Sequence, residues 1–153
     1  MTENKIAVLV LVLCLAGCTV KPVEIQYGRD NCSMCEMTIV DQRYGAEVVT
    51  AKGKVYKFDS IECLADFLKK KLPEGEVPEY TLVTSYTQPG KLSDALHSHI
   101  LHSKGLPSPM GKYLTAFADQ KTAEGFQKAH GGRIYDWDDF MASYEMIHND
   151  FLE

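Results

Sequence analysis

Hydrophobic and polar residues follow periods along the chain that predict short strands and helices. Residues 37–40 and 46–51 are rich in β-branched side chains, which predicts two strands. Residues 55–58 alternate in polarity, and Gly53 places a turn before them. This part of the chain therefore predicts a small antiparallel hairpin.

A helical period follows this hairpin. Apolar residues recur at spacings of three and four over residues 61–72, which predicts an amphipathic helix. Asp59 and Glu62 resemble a capping box, so Asp59 is the expected N-cap. Residues 80–86 then predict another strand, and the elements together form a ββαβ-like unit within residues 31–88.

The second half of the chain, at about residues 105–150, has a similar order of elements. Residues 113–118 and 133–137 predict strands, and residues 121–130 predict a short helix between them. Apolar residues at spacings of four and three predict a last helix: Phe140, Tyr144 and Ile147.

An internal similarity with an offset of 79 residues links the two halves. Residues 53–61 align with residues 132–140, and Asp59 aligns with Asp138 at an expected helix N-cap. The alignment predicts a two-fold repeat. The expected fold class is α+β, with two tandem ββαβ-like units in one compact domain over residues 31–153.

The first residues predict export and attachment to a lipid bilayer. Lys5 precedes an apolar run over residues 6–16 that ends just before Cys18, the pattern of a signal peptide with a lipobox. The run is shorter than the roughly 20 residues that a membrane-spanning helix needs. We expect removal of residues 1–17, acylation of Cys18 and a short mobile tether over residues 18–30.

The charge of the chain and the residue after Cys18 indicate which partners and which compartment to expect. The formal net charge is −5 and the basic residues do not cluster, which argues against nucleic acid as a partner. The expected compartment is the periplasm. Thr19, rather than an aspartate, follows Cys18, which favours sorting to the outer membrane.

The cysteine count indicates a reactive or metal-bound thiol. With Cys18 acylated, the folded part contains Cys32, Cys35 and Cys63. Three thiols cannot all pair, so at least one is free, reactive or bound to metal. Cys63 lies just past the apolar stripe of its helix, where we expect a buried, inert thiol.

Soft sulfur donors are concentrated at residues 31–37, Asn-Cys-Ser-Met-Cys-Glu-Met. Thioethers are poor ligands for Zn(II) and good ligands for Cu(I), so this mixture of thiols and thioethers favours copper. In an extended segment Cys35 and Met37 project to the same side. These two residues, with Cys32 from the preceding turn, are the first candidate ligands for Cu(I).

Met110 is a second candidate donor. It lies in residues 107–111, Pro-Ser-Pro-Met-Gly, whose prolines and glycine predict a fixed loop. The 79-residue offset aligns Met110 with Asn31, beside Cys32, so we expect the two donor sets to face each other. The alternative is a methionine that fills the core beneath the loop.

Other interpretations of these motifs stay open. A Cys-x-x-Cys pair is typical of exported thiol-disulfide oxidoreductases, although such a pair normally opens a helix and strand-like sequence follows here. A structural zinc site needs a second ligand pair, for which only Cys63 and scattered histidines are left. If their segment is helical, His99 and His102 share a face, which suits a metal ion. Together with His97 they are equally typical of an exposed polar helix.

Taken together, these motifs resemble the NosL family of nitrous oxide reductase accessory lipoproteins. The resemblance spans nearly the whole mature chain. The segments that carry it are the lipobox ending at Cys18, Cys32-Ser-Met-Cys35-Glu-Met37, Phe58-Asp-Ser-Ile-Glu-Cys63, Ser108-Pro-Met110-Gly111, Ala116-Phe117 and Gly131-Gly132.

The resemblance implies a Cu(I) chaperone, not an enzyme, that helps supply the copper-sulfide centre of nitrous oxide reductase alongside an ABC-type maturation transporter. By position, the implied ligands are Cys35, Met37 and Met110, with Cys32 nearby. The family commonly has glycine where this chain has Glu36, which puts a carboxylate beside the site. The histidine-rich run lies outside the family pattern.

Overall fold

Two antiparallel sheets form the framework of the protein, which a computed structural model describes over residues 19–149. The predicted signal peptide and the lipidation site at Cys18 lie outside the described residues. The first sheet contains β1 (Ala46–Thr50), β2 (Val55–Phe58), β3 (Pro78–Thr84) and β4 (Leu92–Asp94) in the order β2-β1-β3-β4. The second contains β5 (His99–His102), β6 (Leu114–Phe117) and β7 (Arg133–Tyr135) in the order β6-β5-β7.

Three α-helices are found in the described part of the chain, together with a 3₁₀ helix at Ala95–His97. They are α1 (Ile61–Lys70), α2 (Gln120–His130) and α3 (Trp137–Asn149). None of the helices within residues 19–149 has the length and apolar content needed to cross a bilayer. The α+β class, with small sheets backed by helices, is confirmed.

The helices begin at polar N-cap residues, two of which differ from those expected. Ser60 caps α1 by accepting from the Cys63 amide at 3.3 Å, and Asp119 caps α2 by accepting from the Thr122 amide at 2.8 Å. Asp136 accepts from the Asp139 amide at 2.8 Å at the start of α3. The expected caps at Asp59 and Asp138 are therefore wrong, and the Asp59 side chain is available for another contact.

The main core lies between the two sheets, where α1 and α3 pack. Helix α1 contacts β1 and β2 of the first sheet and β6 of the second. The apolar side chains at the centre of this core are fully buried. Their burial stabilises the fold by about 1.5–3 kcal/mol for each large side chain. They include Phe58, Leu64, Ile100, Phe140 and Tyr144. This position makes α1 one of the elements that join the two halves, together with β3, which contacts β6.

The segment expected to be a mobile tether is part of the folded domain from Val23 onward. The Val23 amide donates to Glu47 Oε1 at 2.9 Å, and Ile25 is buried in the main core. Lys57 Nζ donates to the Glu24 carbonyl at 2.8 Å and pairs with Asp30 Oδ2 at 2.6 Å. These contacts explain why β1 is buried along its whole length, since α1 covers one face and the N-terminal segment the other.

The 79-residue repeat is not confirmed by the positions of the strands. Its alignment pairs β2 with β7, yet β2 is the second strand of its sheet in chain order and β7 is the third. In each sheet, the strand that comes first in the chain lies between the next two. By position in the sheet, β1 therefore corresponds to β5, β2 to β6 and β3 to β7. The similarity of residues 53–61 to residues 132–140 therefore reflects two separate strand-to-helix junctions.

Two local expectations are also wrong. Residues 99–102 form strand β5 rather than part of a helix, and Ile100 and Leu101 are buried on opposite faces, so the strand lacks the alternation that identifies a half-buried one. His99 and His102 consequently lie on opposite faces. Residues 37–40 form no strand ladder, since Thr38 makes only an isolated bridge with Asn31.

Candidate metal centre

Residues 32–37 form a closed loop against the edge of the first sheet. The Cys32 amide donates to the Met37 carbonyl at 2.8 Å, and the Glu36 amide donates to the Cys32 carbonyl at 2.9 Å. The Ser33 amide donates to the Lys57 carbonyl at 2.7 Å, which docks the loop on β2. The expected extended segment is therefore a turn, and its backbone hydrogen bonds hold both cysteines in a fixed frame.

Glu36 gives this loop its shape. Its φ angle is 67°, in the left-handed region that favours glycine. The side chain is exposed, so its carboxylate lies at the surface of the loop. The reversal at this residue replaces the strand alternation that was expected to place Cys35 and Met37 on one side.

The start of α1 brings a third thiol and a carboxylate to the same place. Asp59 ends the β2 segment, Ser60 caps the helix, and Cys63 follows in its first turn. Cys35 Sγ lies 3.5 Å from Asp59 Oδ2 and donates to it. Both Asp59 and Cys63 are buried, and Asp59 Oδ1 has no hydrogen-bond partner among the described residues.

Three thiols and one carboxylate thus form a cluster of possible metal ligands. The Sγ atoms of Cys32, Cys35 and Cys63 and a carboxylate oxygen of Asp59 all lie within 4.8 Å of one another. Cys32 is 2% exposed and Cys63 is 4% exposed, whereas Cys35 is partly accessible. Such a group can hold a thiophilic cation with little movement of the backbone.

The thiols share their protons unequally. A hydrogen bond from the Cys63 thiol lowers the pKa of Cys32 to about 6, although burial opposes this effect. The same hydrogen bond and burial raise the pKa of Cys63, which keeps its proton as the donor. Burial raises the pKa of Cys35 to about 11, and the charge of Asp59 adds to the increase. A buried cation would relieve the repulsion among these acidic groups.

Met110 lies on a loop that is held at several points. The Tyr44 hydroxyl donates to the Pro107 carbonyl at 2.7 Å, and the Ser108 hydroxyl donates to Glu62 Oε1 in the interior. Met110 itself is partly buried against the main core, so the core-filler interpretation describes part of its environment. The loop is therefore a fixed support for the thioether, as its prolines predict.

Met37 and Met110 line the same cavity, which has a volume of about 150 Å³. Asp59 also lines it, so the cavity borders the carboxylate that accepts from Cys35. Met37 is 49% exposed and the neighbouring Val40 is 69% exposed. The two methionines from distant parts of the chain therefore meet at one cavity, and Asp59 links that cavity to the thiol cluster.

Sequence reasoning identified four of these side chains and missed two. Cys32, Cys35, Met37 and Met110 were candidates, and the structure brings them to one region. Cys63 is buried as expected, but its thiol belongs to the cluster. Asp59 was assigned to helix capping. No local spacing indicated either residue, because Asp59 precedes the N-cap Ser60 and lies outside the helix that carries Cys63.

The family model for NosL matches residues 22–145, most of the chain, including every residue of this cluster. The chain belongs to the NosL family. Among curated proteins no sequence matches it. The NosL match begins at Pro22, which agrees with an N-terminal segment that packs on the first sheet.

A solved structure shares the NosL fold. The crystal structure of the copper chaperone NosL from Shewanella denitrificans superposes with a TM-score of 0.68 at 22% sequence identity. The match covers 79% of this chain and 96% of that one. The described architecture is therefore the NosL fold.

Proposed function

We propose that this protein is a Cu(I) carrier that receives a copper ion at the thiol and thioether cluster and passes it to another exported protein. Membership of the NosL family and the shared fold with a copper chaperone support this role. A chaperone of this kind is not an enzyme, since it binds and releases its cargo without a chemical reaction. Copper is the cargo.

The proposed ligands are Cys35, Met37 and Met110, with the Cys32 thiolate nearby. The observation that carries the proposal is that Met37 and Met110 meet at a cavity bordered by Asp59, whose carboxylate also contacts Cys35. Thioether and thiolate sulfur are soft donors, and this combination selects Cu(I) over harder divalent ions. The lowered pKa of Cys32, which results from the hydrogen bond of Cys63, favours the thiolate, the form of cysteine that binds metal.

The position of the methionines suits transfer by ligand exchange. Cys32 and Cys63 are buried, whereas Met37 is 49% exposed at the rim of the cavity that it shares with Met110. A ligand from a partner approaches past Met37 and Val40 and binds copper before the thiols release it. The ion then need not pass through water as a free species.

The family resemblance supports a further part of the proposal, the destination. We propose nitrous oxide reductase as the recipient of the copper, with its ABC-type maturation transporter as a docking partner. The lipobox supports acylation of Cys18 and a periplasmic, lipid-anchored protein. Thr19 after this cysteine supports the outer membrane as its location.

A competition titration tests the copper site. Reduced protein without the signal peptide is titrated with Cu(I) against a colorimetric Cu(I) chelator. We expect one ion per chain, and a loss of affinity of at least about tenfold in Met110→Leu and Cys35→Ser, since each removes one ligand. The Leu variant keeps the volume of the methionine while it removes the sulfur.

Met146 provides the matched control for this titration. It is 66% exposed on α3, so Met146→Leu makes the same chemical change away from the cluster and should keep wild-type affinity. A stoichiometry well below one ion per chain would defeat the proposal. So would an affinity that is the same in Met110→Leu as in Met146→Leu.

The rival function is that of a thiol-disulfide oxidoreductase, which the lowered pKa of Cys32 favours. Cys32 is buried, however, and the pair lies in a turn rather than at the start of a helix. This function predicts disulfide exchange that survives replacement of both Met37 and Met110. Copper binding predicts that the same double replacement removes high affinity for Cu(I).

A further inference from the structure

The loop that carries Met110 has a backbone conformation that needs outside support. Gly111 has a φ angle of 71° and Tyr113 a φ angle of 58°, both in the left-handed region. For tyrosine this conformation is unfavourable, because its Cβ atom crowds the neighbouring backbone. The loop therefore keeps its shape because contacts with the rest of the protein fix it.

The most deeply buried of these contacts joins the loop to the helix of Cys63. The Ser108 hydroxyl donates to Glu62 Oε1, and Glu62 is fully buried. The Leu114 amide donates to the same Ser108 oxygen at 3.4 Å, so this hydroxyl also ties the two ends of the loop together. Ser108 precedes Met110 by two residues, and Glu62 immediately precedes Cys63.

A second contact with α1 holds the other end of the loop. Lys112 Nζ pairs with Asp66 Oδ2 at 2.8 Å and donates to the Tyr144 hydroxyl at 2.8 Å. The Tyr144 hydroxyl in turn donates to the Glu62 carbonyl at 3.0 Å. Helix α1 thus carries one thiol of the cluster and also contacts residues 107–113, the methionine loop, on both sides of Met110.

We infer that Ser108 and Glu62 are positioning residues for Met110. Their hydrogen bond fixes the methionine loop against α1, so that the thioether and the thiols form one site before copper arrives. A buried carboxylate is costly without a hydrogen bond, which ensures that the contact is kept. The inference rests on the proposed Cu(I) function and deepens it, since it assigns a role to residues that do not touch the ion.

A double-mutant cycle on Cu(I) affinity tests this role. Ser108→Ala removes the hydroxyl, and we expect it to weaken binding about tenfold, the equivalent of one hydrogen bond. Because Ser108 acts through Met110, Ser108→Ala should cause no further loss in a protein that already carries Met110→Leu. Ser108→Thr keeps the hydroxyl and should restore most of the affinity.

Glu62→Leu tests the other partner. It has a similar volume and lacks the acceptor, so its affinity should fall as in Ser108→Ala, and the double variant should be no weaker than either. If Glu62→Leu does not fold, the Ser108 and Met110 cycle carries the test alone. The matched control is Ser98→Ala, which removes a buried hydroxyl bonded to the Ala95 carbonyl at 2.7 Å and should leave Cu(I) affinity unchanged.

The outcomes separate this inference from the proposed function. Wild-type affinity in Ser108→Ala, together with weakened binding in Met110→Leu, overturns the positioning role alone. An equal loss from Ser108→Ala in the wild-type and Met110→Leu backgrounds also overturns it, because the effect then does not pass through Met110. Wild-type affinity in Met110→Leu overturns the proposed copper site itself.

Discussion

At residue 36 the chain turns back on itself, and the side chain there determines how easily the loop forms. Glu36 adopts a φ angle of 67°, a conformation in which the Cβ atom crowds the neighbouring backbone. Glycine adopts the same angle without that crowding. The side chain at residue 36 therefore strains the loop that carries Cys32, Cys35 and Met37.

Replacement of this residue tests that strain. We expect Glu36→Gly to raise the free energy of unfolding by about 0.5–1 kcal/mol, because relief of the left-handed strain exceeds the added entropy of the unfolded chain. Urea denaturation of the metal-free protein measures it. Lys128→Gly, at an exposed position within α2, should instead lower stability by about 1 kcal/mol. A loss of stability in Glu36→Gly would contradict the strain.

Individual donors were easier to predict than their neighbours. Cys32, Cys35 and Met37 lie in one short stretch, so their sequence spacing already suggested a shared site. Asp59 was misassigned because an aspartate before a helix normally caps it, and here Ser60 takes that position instead. The pairing of Cys63 with Cys32 depends on long-range packing, which no local pattern records.

Among the elements, the N-terminal segment and β1 form a junction that depends on a buried carboxylate. Glu47 lies in the central strand of the first sheet and is fully buried. Its Oε1 accepts from the Val23 amide at 2.9 Å, while Oε2 has no partner in the described part of the chain. Burial raises the pKa of Glu47, and the hydrogen bond from Val23 only partly offsets the increase.

This raised pKa predicts the direction of a pH effect on stability. The folded protein holds the Glu47 proton more tightly than the unfolded chain does, so the contribution is fully present below the ordinary pKa of glutamate. It is lost as the pH rises through the folded pKa. We expect Glu47→Gln to remove this decline and to be more stable than the wild type at neutral pH. Urea denaturation from a pH below the ordinary pKa of glutamate up to neutral pH measures the difference.

The exposed Glu79 of β3 controls for the loss of one negative charge. Glu79→Gln should keep the slope of the wild-type profile over the same pH range. If Glu47→Gln also runs parallel to the wild type, the buried carboxylate does not contribute the predicted pH dependence.

Elements with strong periodicity were predicted well. The last helix was expected from Phe140, Tyr144 and Ile147, all of which are buried on α3. Strand β5 was missed because both of its faces are covered, which removes the alternation of apolar and polar residues. The sequence predicts a tether for the N-terminal segment because the contacts of this segment with β1 and β2 are long-range and leave no local pattern.

For the whole molecule, the position of α1 between the two sheets explains how distant parts of the chain reach one site. The helix begins beside the loop of residues 32–37 and carries Cys63 in its first turn. It also contacts the methionine loop through Glu62 and Asp66. The donors come from three separate segments, at residues 32–37, 59–63 and 110. The proposed copper site therefore requires the folded domain, although its candidate ligands come from short motifs.

X-ray absorption at the copper edge of the Cu(I)-loaded protein tests this convergence most directly. The wild type and Met146→Leu should show a first shell of sulfur scatterers only, and Met110→Leu should show one sulfur fewer. A first shell in Met110→Leu identical to that of the wild type, or a wild-type shell of nitrogen and oxygen, would contradict the account.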